Sequence, residues 1–456
     1  MSTPDYTGSN FSGNEAVRRA WEVLSMVLLT AGVLLLGFYS RQDDFTVIFT
    51  GYALSFAGYA LALHLSILQH SWKHYLLLAL VLRGVLIFSF PTLSDDVFRF
   101  IWDGRLIHEG IHPLRYLPDQ LVQHPLMHIR QMQEIYAHLN SPHYYTVYPP
   151  VAQLVFYLST FDFLANTLWM TMVMKIFLFV GELMTAYGLY RVARMFRLPD
   201  WTVLLYLLNP LAIVEVMGNL HFEGWMVAFL LWSGIAIAQK RFAWAGVLFA
   251  CSVGVKLLPL MFLPALFFYF RKGRDRGRFL LGFAICLTLL FIPYIGLLGW
   301  DHFIQSLGLY YRKFEFNAGF YYVLRAIGYE MVGYNLIKYI GPAMGILALL
   351  LILIVSYQVK RIDSLRRLPA YLLVIYLIFA LCSLILHPWY LILPLFLTVF
   401  VPNSLVPVWT FLITLTYINY SFYPYHEAMW VVILEYLVVA ALIAWEWKTA
   451  RWIKRI

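Results

Sequence analysis

The feature that most constrains this chain is a succession of apolar runs, each about as long as a bilayer is thick. They fall near residues 20–38, 45–68, 75–91, 167–190, 200–217, 222–239, 279–297, 335–357, 370–386, 389–402, 405–421 and 427–447. A span needs about 20 predominantly apolar residues. The fold expected is therefore an all-α polytopic membrane protein of roughly 12 transmembrane helices, a single domain over residues 20–447. With 62% hydrophobic and only 12% charged residues, little chain remains for a soluble domain. Arg18 and Arg19 precede the first run and no small-residue cleavage site follows it, so it reads as a retained span and not a removed signal peptide. Residues 1–19 are expected to be a disordered cytoplasmic segment, and 448–456 a cytoplasmic tail.

Residues 242–270 are also apolar, but Gly254-Val255-Lys256-Leu257-Leu258-Pro259 divides them into two pieces too short to span. A re-entrant hairpin, entering and leaving on one side, fits better. Residues 151–162 are short enough for a helix at the interface. With these readings the cations sort onto one face: Arg18/Arg19, Lys73, Arg191/Arg194/Arg197, Lys240/Arg241, the basic run 271–278, Lys360/Arg361/Arg366/Arg367 and the C-terminal tail. By the positive-inside rule that face and both termini are cytoplasmic. The net charge of +9 then reports topology, not nucleic-acid binding. Cys251, Cys286 and Cys382 all lie in apolar runs, which gives no support to disulfides, zinc or thiol catalysis.

The polar residues without an obvious structural use gather on the opposite face, in the loops 91–166 and 298–334 and two short turns. Ser94-Asp95-Asp96 opens the first loop. A serine followed by acids is also an ordinary helix start. In a helix beginning there, Asp96, Arg99 and Asp103 share one face, with Arg99 able to pair with either acid. A carboxylate left free could deprotonate a hydroxyl while arginines hold a phosphate. Gly110–Pro113 and Tyr145–Pro150 read as turn punctuation. Tyr310–Asn317, with Arg312 and Lys313, fits either an interfacial belt or a ligand contact. Lys256 is expected deep in the membrane, paired with Glu182 or Glu215 or touching a phosphate. His221 with Glu223, and His387 before Pro388-Trp389-Tyr390, are further candidates.

Several motifs together resemble the GT-C fold mannosyltransferases that use polyprenyl-phosphate-mannose. They are Ser94–Leu106, Glu109–Pro113, Val147–Gln153, Leu208–Leu211, Gly218–Gly224, Val255–Leu260 and His387–Tyr390. The likeness covers roughly residues 75–400, and residues 20–68 look like an addition to it. Leu114 and His112 depart from the pattern, where relatives often carry Tyr and Asn. The resemblance implies a multi-pass inverting enzyme with an active site on the non-cytoplasmic face, in a bacterial inner membrane or an endoplasmic reticulum membrane. It implies that Asp95 or Asp96 is the catalytic base. Substrate contacts are expected at Arg99, Asp103, Arg105, Tyr148, His221, Glu223, Lys256, Arg312, Lys313, His387 and Tyr390. The expected partners are a polyprenyl-phosphate-sugar, a glycan, glycolipid or protein acceptor, and membrane lipids, with no metal or other cofactor. The alternatives are transfer of glucose or an arabinose-type sugar, or a lipid transporter or flippase; the last is disfavoured by the lack of an internal repeat.

Overall fold

The computed structural model describes residues 15–69, 71–161, 166–294 and 299–449, and leaves out the side chains of 69 and 310–312. The expected N-terminal segment up to residue 14, the tail from residue 450 and the Arg312 side chain lie outside the described residues. Among the described residues the regular structure is helical, apart from one bridge between Phe316 and Ile385.

Each expected apolar run is helical over most of its length. Helix α1 (Glu15–Phe38) begins before the apolar run, with Glu15 and Arg19 paired at 2.5 Å in its first turn. It packs along α2 (Phe45–Gln69), and α3 (Trp72–Val85) follows. Among the described residues seven helices are long and apolar enough to cross a membrane, or eight if one bent pair is a single span. That pair is Asp200–Leu207 and Pro210–Gly218, which meet at 54°. The bend has a local cause. Pro210 has no N–H to continue the first helix, and the Asn209 side chain caps a new one by accepting from Leu211 N at 3.0 Å. Other runs form shorter helices, which a bilayer tolerates when neighbouring protein surrounds them.

The first long loop is itself built of helices: α4 (Asp96–His108), α5 (Arg130–Ala137) and α6 (Pro150–Ser159). Pro150 starts α6 at a position whose N–H would have no helical partner. At 10 residues α6 is too short to span, as expected. It lies against α4, where Phe100 and Phe156 stack at 4.6 Å. Gly104 permits that approach, since a Cβ there would sit 2.5 Å from the Phe156 carbonyl oxygen. Helix α7 (Thr167–Phe196) then runs the length of the bundle. Two four-residue helices, α8 (Leu204–Leu207) and α9 (Pro210–Ile213), lie within the bent pair and lead to α10 (Glu223–Ala238).

The hairpin is present. Helix α11 (Phe242–Val255) stops at Lys256, and a 3-10 turn leads into α12 (Leu263–Tyr269). The chain returns to its start, because Phe270 meets Phe242 at 5.5 Å. Helix α13 (Gly273–Phe291) packs closely on α11. The second loop supplies α14 (Gly299–Arg312) and α15 (Gly319–Val332), and α14 clasps the first loop. There the His302 and Tyr145 rings stack at 3.9 Å, and Ser306 Oγ donates to the Tyr145 carbonyl at 3.0 Å. Helices α16 (Ile337–Gln358), α17 (Leu368–Cys382), α18 (Ile392–Thr398), α19 (Leu405–Leu412) and α20 (Met429–Thr449) complete the bundle. Both loops, the hairpin tip and the first turn of α10 therefore meet at one end of the molecule.

Candidate active site

The approach to the acid doublet is anchored from below. Lys175 on α7 is buried and donates to the carbonyls of Leu86 (3.1 Å) and Ser89 (2.7 Å) and to Ser89 Oγ (2.8 Å). Asn219 Oδ1 accepts from Leu93 N at 3.3 Å. The chain then turns at Ser94, whose hydroxyl accepts from Asp96 N at 3.3 Å. Asp95 occupies the cap position of α4, yet its side chain makes no capping bond. It is exposed, and among the described residues no hydrogen-bond donor reaches its carboxylate. Asp96 is engaged: Tyr148 donates to it at 3.0 Å and Asn140 at 3.4 Å. Although the surface of Asp95 is open, neighbouring protein removes part of its water. That desolvation pushes its carboxyl above the usual range, the charge of Asp96 adds to the effect, and His138 opposes it.

Two turns further along α4 the same residue types have another use. Asp103 is fully buried, paired with Arg99 at 3.0 Å and accepting from Gln153 Nε2 at 2.8 Å. Arg99 also donates to the Tyr144 carbonyl at 3.0 Å, fastening residues 141–144 to the helix. Arg105 donates to the Thr160 carbonyl and to Gln131, both at 2.8 Å. The expected common face is real, but Arg99 pairs with Asp103 and not with Asp96. The two departures from the family pattern also serve structure. His112 Nδ1 accepts from Leu114 N at 3.2 Å, and Leu114 packs with Phe291, Tyr294 and Phe303. Burial holds the His112 imidazole below its ordinary range.

A second cluster stands across an aromatic partition of Phe100, Tyr148, Phe156 and Phe222. Lys256, at the hairpin tip, forms an ion pair with Glu223 and lies 4.8 Å over the Tyr390 ring. The expected partners are corrected here. Glu182 is held by Arg83 at 2.7 Å and Tyr206 at 2.9 Å, and Glu215 by other donors. The reason is height. The hairpin carries Lys256 up to the first turn of α10, where Glu223 stands, and its side chain keeps 26% exposure. Beside it four rings stack in series: His221 on Trp389 at 3.9 Å, Trp389 on His387 at 4.5 Å, and His387 on Phe316 at 4.5 Å. His387 is half-buried, and its Nδ1 is sealed from solvent without a hydrogen-bond partner among the described residues. Lys313 is exposed on the connection just before Phe316. Thus Glu223, Lys256, Tyr390, His387 and His221 converge, Asp95, Asp96 and Tyr148 form a neighbouring group, and Arg99, Asp103 and Arg105 fasten the scaffold between α4 and the loop.

A node beneath both groups was not read as such from the sequence. Val214–Gly218 is a π-helical turn carrying the fully buried Glu215. Its carboxylate accepts from Tyr52 (2.9 Å), Tyr417 (2.8 Å) and Asn219 (3.2 Å), and lies 3.3 Å from His221 Nε2. Asn219 in turn holds Leu93, so Glu215 braces both the acid loop and the ring stack. Its partners are too scattered along the chain for any local pattern to reveal them. Asn317 was overlooked as well, and its positive φ of 49° was the hidden sign. It is held by Glu427 on its N–H at 3.0 Å and by Glu435 on its side chain at 3.0 Å, which sets Phe316 against His387. Among the described residues no three His, Cys, Asp or Glu side chains gather as a metal site would require.

An exposed carboxylate and, across the aromatic partition, a cation with histidine and aromatic surfaces can between them take a proton from one reactant and hold an anionic group of another. Comparison with known proteins narrows the chemistry. Residues 17–271 match the family described as "Alpha-(1->6)-mannopyranosyltransferase, N-terminal domain". The chain is similar to Alpha-(1->6)-mannopyranosyltransferase A of Corynebacterium glutamicum, with 24% identity over 42% of this chain and 39% of the relative. It is also similar to the protein of the same name from Mycobacterium tuberculosis, with 27% identity over 42% of this chain and 36% of the relative. The matched stretch thus takes in well under half the length of either relative. With more than half of its own length matching, the chain belongs to the alpha-(1->6)-mannopyranosyltransferase family.

Proposed function

We propose that this protein is an inverting mannosyltransferase that moves mannose from polyprenyl-phosphate-mannose to a hydroxyl of a glycan or glycolipid acceptor. The observation that carries the reading is the Asp95 carboxylate, which no hydrogen-bond donor reaches among the described residues, at the same end of the bundle as the Lys256–His387 cluster, in a chain of this family. The family's name supports a 6-hydroxyl nucleophile and an α product, and a β-linked lipid donor then requires a single displacement. The acceptor oxygen attacks the anomeric carbon while Asp95 takes its proton. The bond from that carbon to the phosphate oxygen breaks, and polyprenyl phosphate leaves with the electron pair. Asp95 is favoured over Asp96 because Tyr148 and Asn140 already occupy Asp96.

Lys256 and His387 are assigned to the donor phosphate, where a charge-assisted hydrogen bond contributes about 1.5–3 kcal/mol. Both lie at the end of the bundle opposite the basic clusters, which supports an active site on the non-cytoplasmic face. The test uses purified protein in lipid with labelled polyprenyl-phosphate-mannose and a soluble mannoside. Wild type should form an α-(1→6) product, and Lys256→Met should weaken donor binding by roughly 10- to 150-fold. Movement of the labelled lipid across the bilayer without sugar transfer would favour a flippase and sink the reading.

A further inference from the structure

Between the 3-10 segment Ile413–Ser421 and α20, the chain runs Tyr420-Ser421-Phe422-Tyr423-Pro424-Tyr425-His426-Glu427. Apart from Glu427, which holds Asn317, this segment has no part in the assignments above, and it lies beyond the family match. Its ends are pinned. Ala428 N donates to Asn419 Oδ1 at 2.9 Å, and Glu427 accepts from Asn317 N at 3.0 Å and from the Tyr322 hydroxyl. Within it Phe422 and His426 stack at 4.2 Å. The rings at its crest are left out of the core: Tyr425 is 53% exposed, and Tyr423 is fully exposed. The segment leaves the bundle next to the acid loop: Tyr417, three residues before Tyr420, and Asn219, which holds Leu93, both donate to Glu215, and the Tyr420 ring lies 5.8 Å from that of Tyr425. A loop pinned at both ends that leaves several aromatic rings exposed near the acid loop is a contact surface awaiting an occupant.

We propose that this loop is the acceptor subsite, on which the sugar preceding the reacting residue stacks against Tyr425 and Tyr423. The proposal rests on the reading that Asp95 activates an acceptor hydroxyl. A hexose offers a face of polarised C–H groups to the electron-rich face of an aromatic ring, while its hydroxyls reach phenol oxygens. Tyrosine supplies such area at low conformational cost. The electrostatics favour a neutral glycan over a membrane surface. Residues 413–428 contain no Lys or Arg, the side chains that anchor a loop to anionic headgroups.

The experiment compares a methyl mannoside with its α-(1→6)-linked disaccharide, using the full-length protein and labelled polyprenyl-phosphate-mannose. Wild type should show a lower KM for the disaccharide. The double variant Tyr423→Ala/Tyr425→Ala should erase that advantage, a change of about tenfold, and Tyr425→Trp should retain it. Equal losses toward donor and both acceptors would mark a bilayer anchor and overturn the proposal, as would an undiminished disaccharide advantage. Calorimetric binding of the disaccharide without donor separates this subsite from the underlying reading. Weaker binding to the double variant, with no transfer by wild type, keeps the subsite and removes the mannosyltransferase assignment. Unchanged binding removes the subsite.

Discussion

Helix α4 carries two acidic positions with opposite fates. Asp95 stands exposed at the helix start with no donor on its carboxylate, whereas Asp103, two turns on, is fully buried and tied to Arg99 and Gln153. Residue type is the same in both. The difference is whether pairing has already used the charge: Asp103 organises the loop, and Asp95 retains its capacity to bind a proton.

The comparison breaks most sharply under single substitutions. Asp95→Asn should leave folding intact and lower the transfer rate by about 10²–10⁴-fold, the scale of general-base loss. Near wild-type turnover would show that Asp95 is not the base. Asp103→Ala should act through stability. Leaving the Arg99 guanidinium buried and unpaired is expected to cost about 3–5 kcal/mol, read as a lowered unfolding midpoint in detergent and loosened protection of residues 141–144. An unchanged midpoint would refute the scaffold role.

A finer contrast lies in pH dependence. The base must be ionised, so kcat/KM should fall as pH drops through the Asp95 pKa, which lies above the ordinary ~3.9 of an aspartate. Two neighbours bear on it with opposite sign. Removing the negative charge in Asp96→Asn should move the acid limb to lower pH. Removing the opposing imidazole in His138→Ala should move it to higher pH. A limb indifferent to both substitutions would belong to some other group.

Much of the architecture was legible in the sequence because the bilayer sets a coarse rule. Runs of apolar residues became helices, and Gly254–Pro259 marked the turn of the hairpin. The i,i+4 spacing of Arg99 and Asp103 announced a pair, but not that the pair would be sealed beneath residues 141–144. The partner of Lys256 was misjudged because counting residues from the basic flank gives distance along the hairpin and not which neighbour stands at that height. The His221–Trp389–His387–Phe316 stack draws on three separate segments, and its register depends on Asn317 holding a left-handed conformation. No local periodicity encodes such an arrangement.

Glu215 carries a consequence for biogenesis. Its carboxylate is held by the Tyr52 and Tyr417 hydroxyls and the Asn219 amide, with His221 3.3 Å away and no Lys or Arg paired to it among the described residues, and Tyr417 lies 202 residues further along the chain. An acid entering a bilayer interior unaided is disfavoured by a few kcal/mol. At translation rates of about 5–20 residues per second, Glu215 waits on the order of 10–40 s for that partner. Residues 200–218 are therefore the last part of the N-terminal half to settle, even though they are made early. Ribosome-arrested chains ending before Tyr417 should leave a cysteine placed at Val216 open to thiol reagents, and chains that include α20 should protect it. Protection in the shorter chains would mean that Tyr52 and Asn219 suffice, and that the two halves of the protein mature independently.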